Sequence, residues 1–164
     1  MSELVKVVRV STPAQLEQAY LVRLEVFVRE QQVPIEFEID DLDTNPTTVH
    51  VLALRTDVFP HQPIGTARLL PDAANPGHLH IGRVAVLAHA RKMSVGKELM
   101  AALEEIAIAE HSHEGAVTIE LSAQEQALEF YHRQGYELFD DRRYLDCDIW
   151  HRDARKVITR RPTV

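Results

Sequence analysis

"VAVLAHARKMSVGKELMAAL", residues Val84–Leu103, decides how this chain is read. An apolar run ends near Leu87, the basic residues Arg91, Lys92 and Lys97 gather around Gly96, and a helical pattern begins at once. Val95, Leu99, Leu103 and Ile106 fall on one stripe, so the stretch predicts a strand, a short loop and an amphipathic helix. A helix start leaves backbone N–H groups unpartnered and carries the positive end of the helix dipole. On a bare solvated helix each added cation there would cost about a few tenths of a kcal/mol. An anion held by the same loop reverses the sign of that term. Phosphate is the expected anion.

Two familiar phosphate loops do not fit. A P-loop needs glycine five residues before the Gly-Lys pair and Ser or Thr after it, and Arg91 and Glu98 stand in those places. The dinucleotide fingerprint needs three spaced glycines, and Gly96 stands alone.

Outward from this stretch the pattern alternates between strands and helices. Val5 to Val10 is a first strand; Ser11 or Thr12 with Pro13 starts a helix running to about Val28 or Arg29. Pro34 and the acidic "EFEIDDLDTNP" follow, with Asp40, Asp41 and Asp43 expected to form a solvated charge run. "HVLALR" and "PIGTARLL" predict an antiparallel hairpin, and "HLHIGRVAV" a third strand in which Gly82 marks a bulge or a close approach. After the central helix, with His111 and His113 at its end and Gly115 as its cap, come a short strand "AVTIEL" and a second helix in "AQEQALEFYHRQGYE" closed by Gly135. Strand pieces at "YELF" and "CDIW" precede a loose tail over residues 159–164. The fold class expected is α/β (α+β), a mixed sheet with helices on both faces.

The chain has 164 residues, 45% of them hydrophobic, with a formal net charge of −7. That length suits a single domain over residues 1–164. The acidic balance argues against a general nucleic-acid partner. "MSELVKVVRV" is charged throughout, so no signal peptide and no membrane association are expected. Cys147 is the only cysteine, which suits a reducing, cytoplasmic compartment, and it is expected as a half-buried strand residue.

Three segments, in order, carry a resemblance. "RVAVLAHARKMSVGKELMAALEEIA" resembles the acyl-CoA-binding segment of the GNAT acetyltransferase superfamily, whose loop reads Arg/Gln-x-x-Gly-x-Gly/Ala. Here it runs Arg91, Lys92, Met93, Ser94, Val95, Gly96, with Ser94 replacing the first glycine. "LSAQEQALEFYHRQGYE" is similar to the later segment of that family, with Ala127, Phe130, Tyr131, Gly135 and Tyr136 in the motif positions. "VFVREQQVPIEFEIDDLD" is similar to the first helix and loop of a branch rich in uncharacterised bacterial proteins.

The resemblance implies a mostly antiparallel central sheet with a splayed strand pair at the cofactor cleft. It implies acetyl-CoA as donor and no metal; His78 and His80 lack further ligands to make a metal site. Val84, Ala85 and Val86 would touch the pantetheine arm through their backbones. The loop from Arg91 through Lys92, Met93, Ser94, Val95 and Gly96 to Lys97 would hold the pyrophosphate, with Phe130 close by. Tyr131 matches the tyrosine that protonates the leaving sulfur, or else packs beside Phe130. His80 falls where some members carry a base, or forms a polar edge with His78. Glu30, Gln31 and Glu38 would attract the acceptor amine; Trp150 and His151 line that pocket or pack in the core. The activity implied is acetyl transfer to a primary amine of a small molecule, an amino-sugar phosphate or a polyamine, and a homodimer is common in the family. A non-catalytic acyl-CoA sensor and a protein-lysine acetyltransferase are the alternative readings.

Overall fold

The computed structural model describes residues 4–160. The chain runs β1 (Val5–Arg9), α1 (Pro13–Arg23), a π-helical segment (Leu24–Glu30), α2 (Ile35–Glu38), a 3-10 turn (Asp41–Thr44), β2 (Val49–Arg55), β3 (Gln62–Pro71), β4 (His78–Val86), α3 (Val95–His111), β5 (Ala116–Gln124), α4 (Leu128–Arg133), β6 (Glu137–Leu138), β7 (Tyr144–Asp146) and β8 (Ile149–Thr159). The strands form one sheet in the order β1-β2-β3-β4-β5-β8-β6, with β7 also on β8. Every pairing is antiparallel except that between β4 and β5. No helix among the described residues is long and apolar enough to cross a membrane.

Period-2 alternation gives the sheet two faces. Val49, Val51, Ala67, Leu69, Leu79 and Ile81 are buried and share a core with Val95, Leu99, Met100 and Leu103 of α3. Gly65 lets that helix sit close, because a Cβ there would meet Val95 Cγ1 at 2.7 Å. On the opposite face Val22 and Val26 pack on Ala85. Thr12 starts α1 with a capping box, its side chain accepting from Gln15 N–H while Gln15 reaches back to the Thr12 backbone. The helix then widens: Gln31 N–H reaches Val26 O, five residues back, and this π-helical stretch ends facing the sheet with Glu30 and Gln31.

Several expectations need correction. Asp43 is 3% exposed rather than solvated, because Arg23 and Arg68 converge on it. Gly115 does not cap α3; with Glu114 it forms the two-residue turn of a bridge between His113 and Ala116, both turn residues at positive φ. Cys147 is likewise a turn residue, at φ 48 beside Asp148 at φ 62, joining β7 to β8. The strand "AVTIEL" runs on to Gln124, leaving the second helix only Leu128–Arg133. Trp150 is 41% exposed, with the Arg143 guanidinium 3.8 Å from its ring. Of the tail, Thr159 pairs with Ala116 and Arg160 N–H bonds Gly115 O; residues 161–164 lie outside the described residues.

Candidate active site

The parallel β4–β5 ladder stops early. It pairs His78 with Thr118, Leu79 with Ile119, His80 with Glu120 and Ile81 with Leu121. Both strands continue, β4 to Val86 on β3 and β5 to Gln124 on β8, without further pairing to each other. Between the parted ends lies a cleft of about 900 Å³ lined by Gly82 to Val86, Ser122, Gln124 and Tyr131, and roofed by Phe27, Glu30 and Gln31. One cause of the parting is a bulge in β4. Arg68 pairs with Gly82 but Thr66 with Ala85, so Arg83 and Val84 together oppose Ala67. Arg83 takes a left-handed φ of 51 there. The bulge expected near Gly82 thus centres one residue later.

Beyond the bulge, Leu87 N–H bonds Ile64 O on β3. Alternation then turns the backbone groups of Ala85 toward β3 and those of Val86 toward the cleft, with Val84 on the same side as Val86. Of the three residues expected to meet the pantetheine arm through their backbones, Val84 and Val86 turn theirs to the cleft, where the Val86 carbonyl already accepts from Arg91 Nε.

Three residues beyond Arg91, which lines the cleft, α3 starts without a side-chain cap, on Ser94. The first bond closing the helix is Glu98 N–H to Ser94 O, so the amides of Val95, Gly96 and Lys97 point out of the helix end. Ser94 sits at φ 59, the left-handed region that explains why the family motif has glycine at this position. Gly96 serves a different need. A Cβ on it would meet Phe130 Cζ at 2.9 Å, so its bareness seats the Phe130 ring against the loop. Lys92 and Lys97 are exposed, and Met93 packs against the core. These are features a bound diphosphate needs: uncapped amides, close backbone approach and nearby cations.

Arg91 is differently engaged. Its Nη2 donates to both Glu30 oxygens at 2.9 Å and its Nε to Val86 O at 3.1 Å. Glu30 is therefore paired, not free for an amine. Gln31 accepts from Gln124 Nε2 at 2.7 Å, joining the π-helical segment to the free end of β5. Glu38 is 2% exposed and bonds Arg23 Nε at 3.0 Å.

Tyr131 stands in the cleft wall, edge-on to Phe130 and Tyr136. Burial raises its hydroxyl pKa to about 12, so the phenol keeps its proton throughout the working pH range. His80 lies deeper, on β4. Burial lowers its pKa, against the opposing pull of Asp153 and Glu120, which favours the neutral imidazole that can accept a proton. His151 is 8% exposed, also lines the cleft, and stacks on Tyr144. Tyr144 donates to Asp153 Oδ1 at 2.5 Å and meets Ser122 Oγ.

Ser122 and Gln124, and the arginines Arg68 and Arg83, were not anticipated at the site. One signal was available: Thr118, Glu120, Ser122 and Gln124 place a polar residue at every second position of β5, the mark of a face open to a cavity. Arg68 and Arg83 gave none, since a single arginine in a strand reads as surface.

Residues 15–136 match the model of the acetyltransferase (GNAT) family. The chain is 34% identical over 151 residues to the uncharacterized N-acetyltransferase YjcF of Bacillus subtilis, covering 92% of this chain and 99% of that protein. It is 32% identical to the uncharacterized protein YyaT of the same organism, over 94% of this chain and 97% of that one. Among solved structures, an acyl-CoA N-acyltransferase from Pseudomonas aeruginosa is 29% identical and superposes with a TM-score of 0.76, over 93% of this chain and 99% of that chain.

Proposed function

The chain belongs to the GNAT acetyltransferase family, and from that premise we propose that it transfers acetyl from acetyl-CoA to the primary amine of a small molecule. The observation that carries the reading is the parting of β4 from β5 after Ile81 and Leu121, with the Tyr131 phenol in the wall of the cleft and the uncapped start of α3 three residues beyond Arg91 of the same lining.

Bound acyl-CoA supplies an activated thioester. Val84 and Val86 would bind its pantetheine arm by backbone hydrogen bonds, and the amides of Val95, Gly96 and Lys97 its diphosphate. His80, neutral at pH 7, accepts the proton released by the acceptor amine, directly or through water. Tyr131 donates its proton to the departing sulfur and is reprotonated from solvent. One proton leaves nitrogen and one reaches sulfur, with the acyl group moving directly between them and no covalent enzyme intermediate.

An amino-sugar phosphate and a polyamine both fit this chemistry as acceptor classes. The single Cys147 suits a cytoplasmic setting, and the one continuous sheet suits reading residues 1–164 as a single domain. The test is calorimetry with coenzyme A followed by acetyl-CoA with an amine panel, watching free thiol. Binding with thiol release dependent on an amine is expected. Binding without release for any amine would make the chain a sensor instead.

A further inference from the structure

A ring of charged side chains closes beside the cleft and narrows the acceptor, an inference that rests on the acyl-transfer reading above. Arg23 meets Glu38 and Asp43, Arg68 meets Asp43 and Asp40, and Arg83 meets Asp40 and Glu38, so each guanidinium stands between two carboxylates. The charges of the ring balance. The donors are not used up. Arg68 Nη1 gives both hydrogens, to Asp40 Oδ1 and Asp43 Oδ1 at 2.8 Å each, and Nη2 gives one to Asp40 Oδ2 at 3.1 Å. The second hydrogen of Nη2 and the one on Nε are left over. Arg68 is 4% exposed, and its Nε is closed to water and without a partner. Among the described residues Arg152 Nε shares that condition, but Arg152 does not line the cleft and Arg68 does.

The two idle hydrogens of Arg68 lie on one edge. In a planar guanidinium Nε–H runs parallel to one Nη2–H, the fork that takes both oxygens of a carboxylate. Nη1 is on the side of Asp43, whose carbonyl holds His50 of β2. Nη2 is on the side of Asp40 Oδ2, which Arg83 of β4 shares. The idle edge is therefore turned toward β4. Arg68 there stands level with Gly82, the first residue of β4 past its last rung to β5. Apart from its chain neighbours, a Cβ on Gly82 would meet nothing nearer than His80 Cδ2 at 3.9 Å. The space above Gly82 is open, with the His80 imidazole to one side, Arg68 across the strand gap and the parting strands ahead.

The geometry points to an α-amino acid as the acceptor, its carboxylate taken by the Nε–Nη2 edge of Arg68 and its amine set above Gly82 beside His80. Paired strands lie about 5 Å apart, which suits an amine and a carboxylate separated by a single carbon. A buried donor without a partner gains fully from a ligand that supplies one. Because no water reaches Nε, the carboxylate enters with a side-chain shift of the kind that binding commonly brings. A zwitterion leaves the balanced ring balanced, whereas a phosphate dianion sets an extra charge beside Asp40. The amino acid's own side chain has an apolar wall to lie on, made by Val26, Phe27, Val33 and Phe37.

The experiment measures kcat/KM for thiol release with L-leucine, L-leucinamide, isoamylamine, 6-aminohexanoate and O-phosphoethanolamine, compared at equal neutral amine. The proteins are the wild type, Arg68→Lys and Gly82→Ala. L-leucine should lead by about tenfold or more. Arg68→Lys keeps a cation in the ring but has no planar fork, and should lower the leucine-to-leucinamide ratio about tenfold, mostly through KM. Gly82→Ala adds a methyl that the fold accommodates, and by occupying the space between His80 and Arg68 should lower the same ratio about threefold or more. Coenzyme A titrations by calorimetry identify the variants that fold; should Arg68→Lys fail there, Gly82→Ala decides. Any of the other amines matching L-leucine overturns this inference and leaves acyl transfer standing. So does a leucine-to-leucinamide ratio that no coenzyme-binding variant lowers. Coenzyme A binding with no thiol release from any of these amines overturns both.

Discussion

Arg91 and Glu30, one expected at the donor phosphate and the other at the acceptor amine, are held together by two hydrogen bonds of 2.9 Å. The pair joins the loop before α3 to the π-helical segment across the mouth of the cleft. The Arg91 side chain is 46% exposed, so the pair adds little stability, up to about 1 kcal/mol. Its consequence lies in which anion holds the guanidinium.

Glu30→Gln removes that competitor and should let Arg91 turn to a diphosphate. Coenzyme A affinity should rise about two- to fivefold by calorimetry, with a steeper dependence on salt. Unchanged affinity would mean that Arg91 remains on Val86 O.

Ser94 occupies a left-handed conformation at φ 59, which costs a non-glycine residue about 1–2 kcal/mol. Glycine relieves the strain and loses part of the gain to its freer unfolded chain. Ser94→Gly should therefore raise stability by about 0.5–1 kcal/mol, read as a higher urea midpoint at constant m-value.

Gly96→Ala sets a methyl 2.9 Å from Phe130 Cζ. Overpacking there should cost about 1–3 kcal/mol and weaken coenzyme A binding as the ring is pushed off the loop. Adding Phe130→Leu should recover most of the stability, and a double-mutant cycle in denaturant measures the coupling.

Tyr131→Phe should reduce kcat by about a hundredfold or more while leaving coenzyme A affinity within twofold. With the Tyr131 pKa near 12, the wild-type rate should show no alkaline fall from this group below about pH 11. The acid side belongs to His80. Its lowered pKa means that the proton leaves early, so the acid limb of kcat/KM should lie below the ordinary histidine value of about 6.5. His80→Ala should abolish that limb.

Asp43 is held far below the usual carboxylate range: burial would raise its pKa, but hydrogen bonds from Arg23, the Asp40 backbone and Arg68 outweigh it. A depressed folded value stabilises the native state above the unfolded value, about pH 4, and the contribution is lost as pH falls through the folded one. Asp43→Asn leaves Arg23 and Arg68 buried and short of charge, at a cost of about 3–5 kcal/mol at pH 7. Its stability should fall less steeply than the wild type's on acidification, as followed by thermal melts from pH 6 to pH 3.

Local pattern made much of this molecule readable before its structure. The stripe Val95, Leu99, Leu103 and the alternation of "HLHIGRVAV" have single periods, and α3 and β4 lie where those periods put them. What was not readable depends on pairing across distance. Asp43 looks like any residue of an acidic run until Arg68, 25 positions later, is brought against it. Arg91 looks like a phosphate ligand until Glu30 arrives from 61 positions away. Turns at positive φ without glycine at their first position, as at Glu114 and Cys147, also leave little trace in sequence.

Arg83, the left-handed residue of the β4 bulge, donates from Nε and Nη2 to Glu38 O and from Nη2 to Phe37 O. Those acceptors are peptide carbonyls, which every amino acid possesses. The height of the segment above the strand is therefore indifferent to which side chain it carries at 37. The residue there is free to drift, and substrate preference with it, while the gap between donor groove and acceptor stays constant.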